Sequence, residues 1–192
     1  MGTVVVTEFM TLDGVVEDPG GSEGFRRGGW AFKFNRGEDG DKFKVDETFE
    51  AEAQLLGRVT YEGFAEAWPS REGEFADRFN TMPKFVVSST LEDPQWTNST
   101  VISGDLTEEI HKLKREVDGV LLVAGSVSLV QALTEHDLVD EYRLMVFPTV
   151  LGSGNRLFGD TGASKTLKLV EARPVGPDGV VILTYAPAPV ES

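Results

Sequence analysis

The sequence predicts a three-layer α/β domain whose mixed, mostly parallel sheet ends in an antiparallel hairpin. Three observations carry this. Short runs rich in β-branched residues alternate with helical periods from Thr3 to Phe147. Residues Gly119 to Ala124 are almost wholly apolar, as a strand covered on both faces must be. The last two strand-like runs flank Gly176-Pro-Asp-Gly179, a turn that joins neighbouring strands. A chain of 192 residues is read as one domain, residues 1–192, because two halves would each bury a meagre core.

Thr3 to Leu12 clusters Val4, Val5, Val6 and Phe9 and stops at Asp13-Gly14, which reads as a core strand ending in a turn. Between residues 18 and 42 seven glycines are interleaved with Phe25, Trp30, Phe32 and Phe34, a long aromatic loop that either lies over something or plugs the edge of the core. Val45, Phe49, Ala53 and Leu56 give one apolar helical face, with a short strand at Ala53 to Gly57. Helices are expected over Arg58 to Trp68, stopped by Pro69, and within Gly73 to Met82. Lys84 to Ser88 and Thr100 to Ser103 read as short strands. Asp105-Leu-Thr-Glu108 has the spacing of a helix start, and Leu106, Ile110, Leu113 and Val117 form that helix's face. The strand at Gly119 to Ala124 runs through Gly125-Ser126 into a helix bearing Leu129, Leu133 and His136. Glu141 to Phe147 is a further strand, and Leu167 to Val175 with Val180 to Ala186 makes the hairpin.

Composition narrows function. The formal charge of −14 opposes any general affinity for nucleic acid or anionic membrane. It leaves room for a phosphorylated cofactor held by local N–H groups and one arginine. Zero cysteines exclude disulfides, thiolate catalysis and cysteine-based metal sites. With no apolar run of membrane-spanning length and no basic flank at the start, the cytoplasm is the expected compartment.

Several familiar motifs fail. The run from Gly159 to Thr166 approaches a P-loop, but Ser164 replaces the glycine before Lys165 and a strand follows. Gly152-Ser-Gly154 lacks the third glycine of a dinucleotide fingerprint. His111 and His136 fall on helical surface patterns beside charges, so no metal site is expected. Three small-residue stops do stand where a strand meets a helix or turn: Gly57-Arg58-Val-Thr60-Tyr61-Glu62, Val87-Ser88-Ser89 and Ala124-Gly125-Ser126. Each alone is a helix cap. Together they make a phosphate-binding set, because small residues let the backbone approach a pyrophosphate and the N–H groups of a first helical turn hold the anion. Arg58, Ser88 and Ser89 suit a further phosphate.

These motifs, with Thr11-Leu-Asp13-Gly14 before them and Leu138-Val-Asp140-Glu141-Tyr142 and Pro148-Thr-Val-Leu-Gly152-Ser-Gly154 after them, resemble the dihydrofolate reductase superfamily. More narrowly, the chain is similar from Val4 to Ala186 to stand-alone relatives of the reductase domain of the bifunctional riboflavin-synthesis deaminase-reductase. The resemblance implies a dihydrofolate reductase-like fold and NADPH as cofactor. It places Gly57, Arg58 and Thr60 along the phosphates, Ser88 and Ser89 near the adenosine 2′-phosphate, and Gly125 with Ser126 at the pyrophosphate and nicotinamide side. The folate enzyme has a longer glycine run than Ala124-Gly125-Ser126, and its acid lies on the first helix, where this chain offers Asp41, Asp46 and Glu47 in no clear motif. Asp13, at the end of the first strand, is the expected acid or substrate anchor, and Trp30 and Phe34 of the aromatic loop are expected to line the substrate cleft. The implied activity is NADPH-dependent reduction of a ribosylaminopyrimidine or a pterin; the alternative is a ligand-binding homodimer without turnover. A homodimer is expected in either case, its contact formed by Tyr142 to Phe147 and the apolar loop from Pro148 to Phe158.

Overall fold

A computed structural model describes residues 1–159 and 164–189. Residues 160–163, inside the run that approaches a P-loop, lie outside the described residues. Eight strands form one sheet: β1 (Thr3–Thr11), β2 (Ala51–Gly57), β3 (Lys84–Val87), β4 (Ser99–Ile102), β5 (Val120–Ala124), β6 (Glu141–Phe147), β7 (Leu167–Val175) and β8 (Val180–Pro187). Their spatial order is β4-β3-β2-β5-β1-β6-β8-β7. The first six run parallel, and β8 and β7 close the sheet in antiparallel fashion.

The helices are α1 (Gly37–Glu50), α2 (Arg58–Ala67), α3 (Glu74–Thr81), α4 (Leu106–Glu116) and α5 (Val127–Glu135). Alternation along β1 divides the core: Val4 and Val6 pack with Ile110, Leu113 and Leu133 of α4 and α5, whereas Val5 packs on the opposite face with Met82 and Leu122. That second face continues as Leu56, Tyr61, Phe79 and Trp96 under α2 and α3. The Asp105 carboxylate accepts the Glu108 N–H and caps α4 as its spacing predicts. No helix among the described residues is long and apolar enough to cross a membrane.

Three expectations are corrected. The first helix starts at Gly37 and ends at Glu50, so Ala53 and Leu56 belong to β2, while Val45 and Phe49 are exposed. Its buried face carries the polar Glu47 and Thr48: Glu47 Oε2 accepts the Thr7 hydroxyl of β1 and pairs with Lys44, the Thr48 hydroxyl donates to the Lys44 carbonyl, and Glu47 Oε1 has no partner among the described residues. The aromatic loop contains a single 3-10 turn at Ala31–Lys33 and plugs the sheet: Trp30, 1% exposed, meets Phe147 edge-on at 5.5 Å. Finally, Tyr142 to Phe147 cannot form a contact surface, since β6 lies between β1 and β8 and is mostly buried. Of the loop that follows, Leu157 is buried and Val150 and Phe158 are exposed.

Candidate functional site

Parallel strands bring their carboxyl ends to one edge, where helix starts offer unpaired N–H groups. Here β3, β2, β5 and β1 stand side by side in that order. Gly57 pairs in register with Val87, so the start of α2 at Arg58 and the turn at Ser88 follow the same end of two neighbouring strands. The Gly57 N–H donates to Ser126 Oγ at 3.0 Å, which ties the end of β2 to the start of α5. Gly125 has φ +71°, a left-handed conformation that favours glycine, and a Cβ there would stand 3.4 Å from Thr60 Cγ2. Gly57, Thr60, Gly125 and Ser126 therefore meet in space although 69 residues separate Gly57 from Ser126. Neither N-cap, Gly57 of α2 or Ser126 of α5, caps its helix through a side chain. Two adjacent helix starts thus present N–H donors at one edge, an arrangement suited to a pyrophosphate.

Arg58 and Ser89 are exposed at the outer end of this row. The Arg58 guanidinium rests on Glu62, 3.0 Å away. Ser88 Oγ accepts the backbone N–H groups of Thr90 and Leu91 at 3.1 and 3.0 Å, shaping the turn after β3. The structure thus groups the seven expected cofactor residues along one edge, with Arg58, Ser88 and Ser89 at one end.

The other expected residues fall elsewhere. Asp13 receives the Thr11 hydroxyl at 2.6 Å and the N–H groups of Gly152 and Leu151 at 2.8 and 3.2 Å, with Arg156 3.8 Å away. The Thr11 hydroxyl first, and then those N–H groups, hold its pKa down at about 2. An ionised carboxylate so engaged has no proton to give, so Asp13 ties the Leu151–Gly152 loop to the end of β1 rather than acting as an acid. Trp30 is buried, its indole N–H donating to the Glu17 carbonyl at 2.9 Å, which removes it from any open cleft. Phe34 is half-buried, 6.0 Å from Phe147. The first-helix acids are also engaged. Asp41 pairs with Arg36 and Asp46 with Lys42, each at 2.6 Å. Glu47 pairs with Lys44 and accepts the Thr7 hydroxyl at 2.9 Å.

Sequence reading missed Glu8. It lies on β1, is 5% exposed, and its Oε1 has no hydrogen-bond partner. Burial pushes its pKa up to about 8, against the opposing pull of the Lys44 charge and the Gly125 N–H. The available signal was one acidic residue inside the otherwise apolar and hydroxyl-bearing run Val4-Val-Val-Thr-Glu8-Phe-Met10. A cleft of about 260 Å³ between α1 and β6, lined by Phe43, Glu47, Glu50, Glu141, Arg143 and Thr184 among others, shares no residue with the strand-edge row.

Comparison with known proteins agrees with the architecture. The family model of the RibD C-terminal domain matches residues 2–181. The uncharacterized protein YyaP of Bacillus subtilis is 27% identical over 187 residues, covering 95% of this chain and 93% of that one. A candidate riboflavin biosynthesis protein from Shewanella sp. PV-4 superposes with TM-score 0.77 at 23% identity, covering 97% of this chain and 99% of that one. The Thermotoga maritima diaminohydroxyphosphoribosylaminopyrimidine deaminase/5-amino-6-(5-phosphoribosylamino)uracil reductase gives 0.62 at 18% identity, covering 97% of this chain and 57% of that one. Enterococcus faecalis dihydrofolate reductase, complexed with NADP(H), gives 0.59 at 15% identity and 96% of both chains. The fold is dihydrofolate reductase-like.

Proposed function

Because the chain belongs to the RibD C-terminal domain family, we propose that it is an NADPH-dependent reductase acting on a small ring substrate, a ribosylaminopyrimidine or a pterin. The observation that carries this reading is the meeting of Gly57, Gly125 and Ser126 at two helix starts without side-chain caps, with Ser88 just past the same end of the next strand out. The residues fit the cofactor. Gly57 and Gly125 stand at the helix starts whose N–H groups suit a pyrophosphate, and Arg58 with Ser88 and Ser89 offers a charge and hydroxyls to a 2′-phosphate. When bound, NADPH supplies the hydride. The chain's part is to hold the phosphates at the edge and to turn the other end of the dinucleotide toward β1. The cytoplasm and a homodimer, its contact now confined to the loop bearing Val150 and Phe158, complete the proposal.

The test is a titration of NADPH against NADH. Charge-assisted bonds to a 2′-phosphate are worth about 1.5 to 3 kcal/mol, so NADPH should bind roughly ten- to a hundredfold more tightly. Arg58→Ala should remove most of that preference. Equal affinities in the native protein would refute the assignment. A second reading, a ligand-binding homodimer without turnover, draws on the engagement of Asp13, Asp41, Asp46 and Glu47, none of which is left free as an acid.

A further inference from the structure

We propose that Glu8 is the general acid of the reductase site, supplying the proton that accompanies hydride transfer. The inference rests on the NADPH reading and deepens it. Thr7 pairs in register with Ala124, the last residue of β5, and the Gly125 N–H just past that strand acts on the Glu8 carboxyl. With a 2′-phosphate at Arg58 and Ser88 and a pyrophosphate at Gly57 and Gly125, the strand order carries the nicotinamide end of the dinucleotide to β1. Glu8 is the buried carboxyl at that place, and its Oε1 has no partner among the described residues. A buried polar atom left without a partner costs stability and asks for a functional reason.

The carboxyl's surroundings favour the neutral acid. Burial dominates, and the acidic Glu23 of the loop after β1 and Glu47 of α1 add to it. Lys44 of α1 and the Gly125 N–H work in the other direction without prevailing. The Glu8 pKa, about 8, lies above neutrality, as a proton donor working near pH 7 requires.

The step balances. Reduction of a C=N or C=O group needs a hydride at carbon, supplied from the dihydronicotinamide, and a proton at the heteroatom. The Glu8 O–H bond breaks as the substrate N–H or O–H bond forms, and solvent later restores the proton. With the oxidised cofactor bound, the Glu8 carboxylate would meet a positive ring, a pairing that would be strengthened in a poorly hydrated site.

That charge pairing gives a test needing no substrate. Calorimetry of NADP⁺ binding at pH 7, in buffers of different ionisation enthalpy, should show release approaching about one proton per site, since the cationic ring lowers the Glu8 pKa. NADPH, with a neutral ring, should release far less. In Glu8→Gln the release should vanish while both cofactors still bind. In the native protein it should vanish above about pH 9, where Glu8 is already ionised, so the test stands even if the variant fails to fold. Carbon-detected NMR of the cofactor-free protein should find one glutamate titrating well above the ordinary carboxylate range. NADP⁺ binding without proton release, release that persists in Glu8→Gln, or an ordinary Glu8 pKa would each overturn the assignment. Failure of both cofactors to bind would instead overturn the NADPH reading on which it rests.

Discussion

Asp13→Asn separates a structural carboxylate from a catalytic one. The native pKa is lowered from 3.8 to about 2 by the Thr11 hydroxyl and the Gly152 and Leu151 N–H groups. A shift of that size corresponds to about 2 kcal/mol. The side chain is 18% exposed, so solvent screening removes part of this and leaves about 1 to 2 kcal/mol. Asparagine keeps one acceptor oxygen and loses the charge, so at pH 7 the melting temperature should fall by about 2 to 8 °C. The sign with pH follows from linkage. A carboxyl whose folded pKa is depressed contributes its stability above the unfolded value, and that contribution is lost as pH falls through the folded value. Native and Asp13→Asn stabilities, measured by urea unfolding from pH 7 downward, should therefore converge between about pH 4 and pH 2. NADPH affinity should be unchanged. A stability difference that stays constant across that window would refute the ion-and-amide account of Asp13. Unaltered stability with abolished turnover would return it to the role of acid.

Gly125→Ala must adopt φ +71° with its Cβ 3.4 Å from Thr60 Cγ2. It should cost about 1 to 2 kcal/mol in a thermal melt and weaken NADPH binding in a fluorescence titration; undiminished binding would leave Gly125 as a cap only. Trp30→Ala empties a site that is 1% exposed and should destabilise by about 3 to 5 kcal/mol without changing cofactor affinity. A loss below about 1 kcal/mol would mean Trp30 is not a core residue. Light scattering at micromolar concentration should give a dimer mass that Phe158→Asp combined with Val150→Asp reduces to a monomer, and a native monomer would refute the dimer.

The strands and their alternation were legible because burial on both faces demands near-continuous apolar runs. Glu141 to Phe147 and the C-terminal hairpin fall where composition and turn residues place them. The row of small residues at the strand ends was legible for a related reason. A small residue where a strand gives way to a helix or turn is a local signature, and Gly57, Ser88 and Gly125 each carry it. The first helix was misread because Val45 and Phe49 suggested a buried face, whereas the buried residues are Glu47 and Thr48. A polar group is buried at less cost when its partners are in place, and one partner of Glu47, the Thr7 hydroxyl, lies 40 residues away in sequence. Trp30 was misplaced in the same manner, since composition does not say whether an aromatic loop opens a cleft or closes a core. The sequence by itself determined the order of the strands and helices along the chain and the small residues at their junctions, because these depend on neighbours a few positions apart. Only the tertiary structure decided which carboxyls are engaged: Asp13 is tied by a loop 138 residues on, and Glu8 is buried beside Gly125 with its Oε1 unpartnered among the described residues. A carboxyl's proton affinity is set by the charges, donors and solvent that folding brings to it.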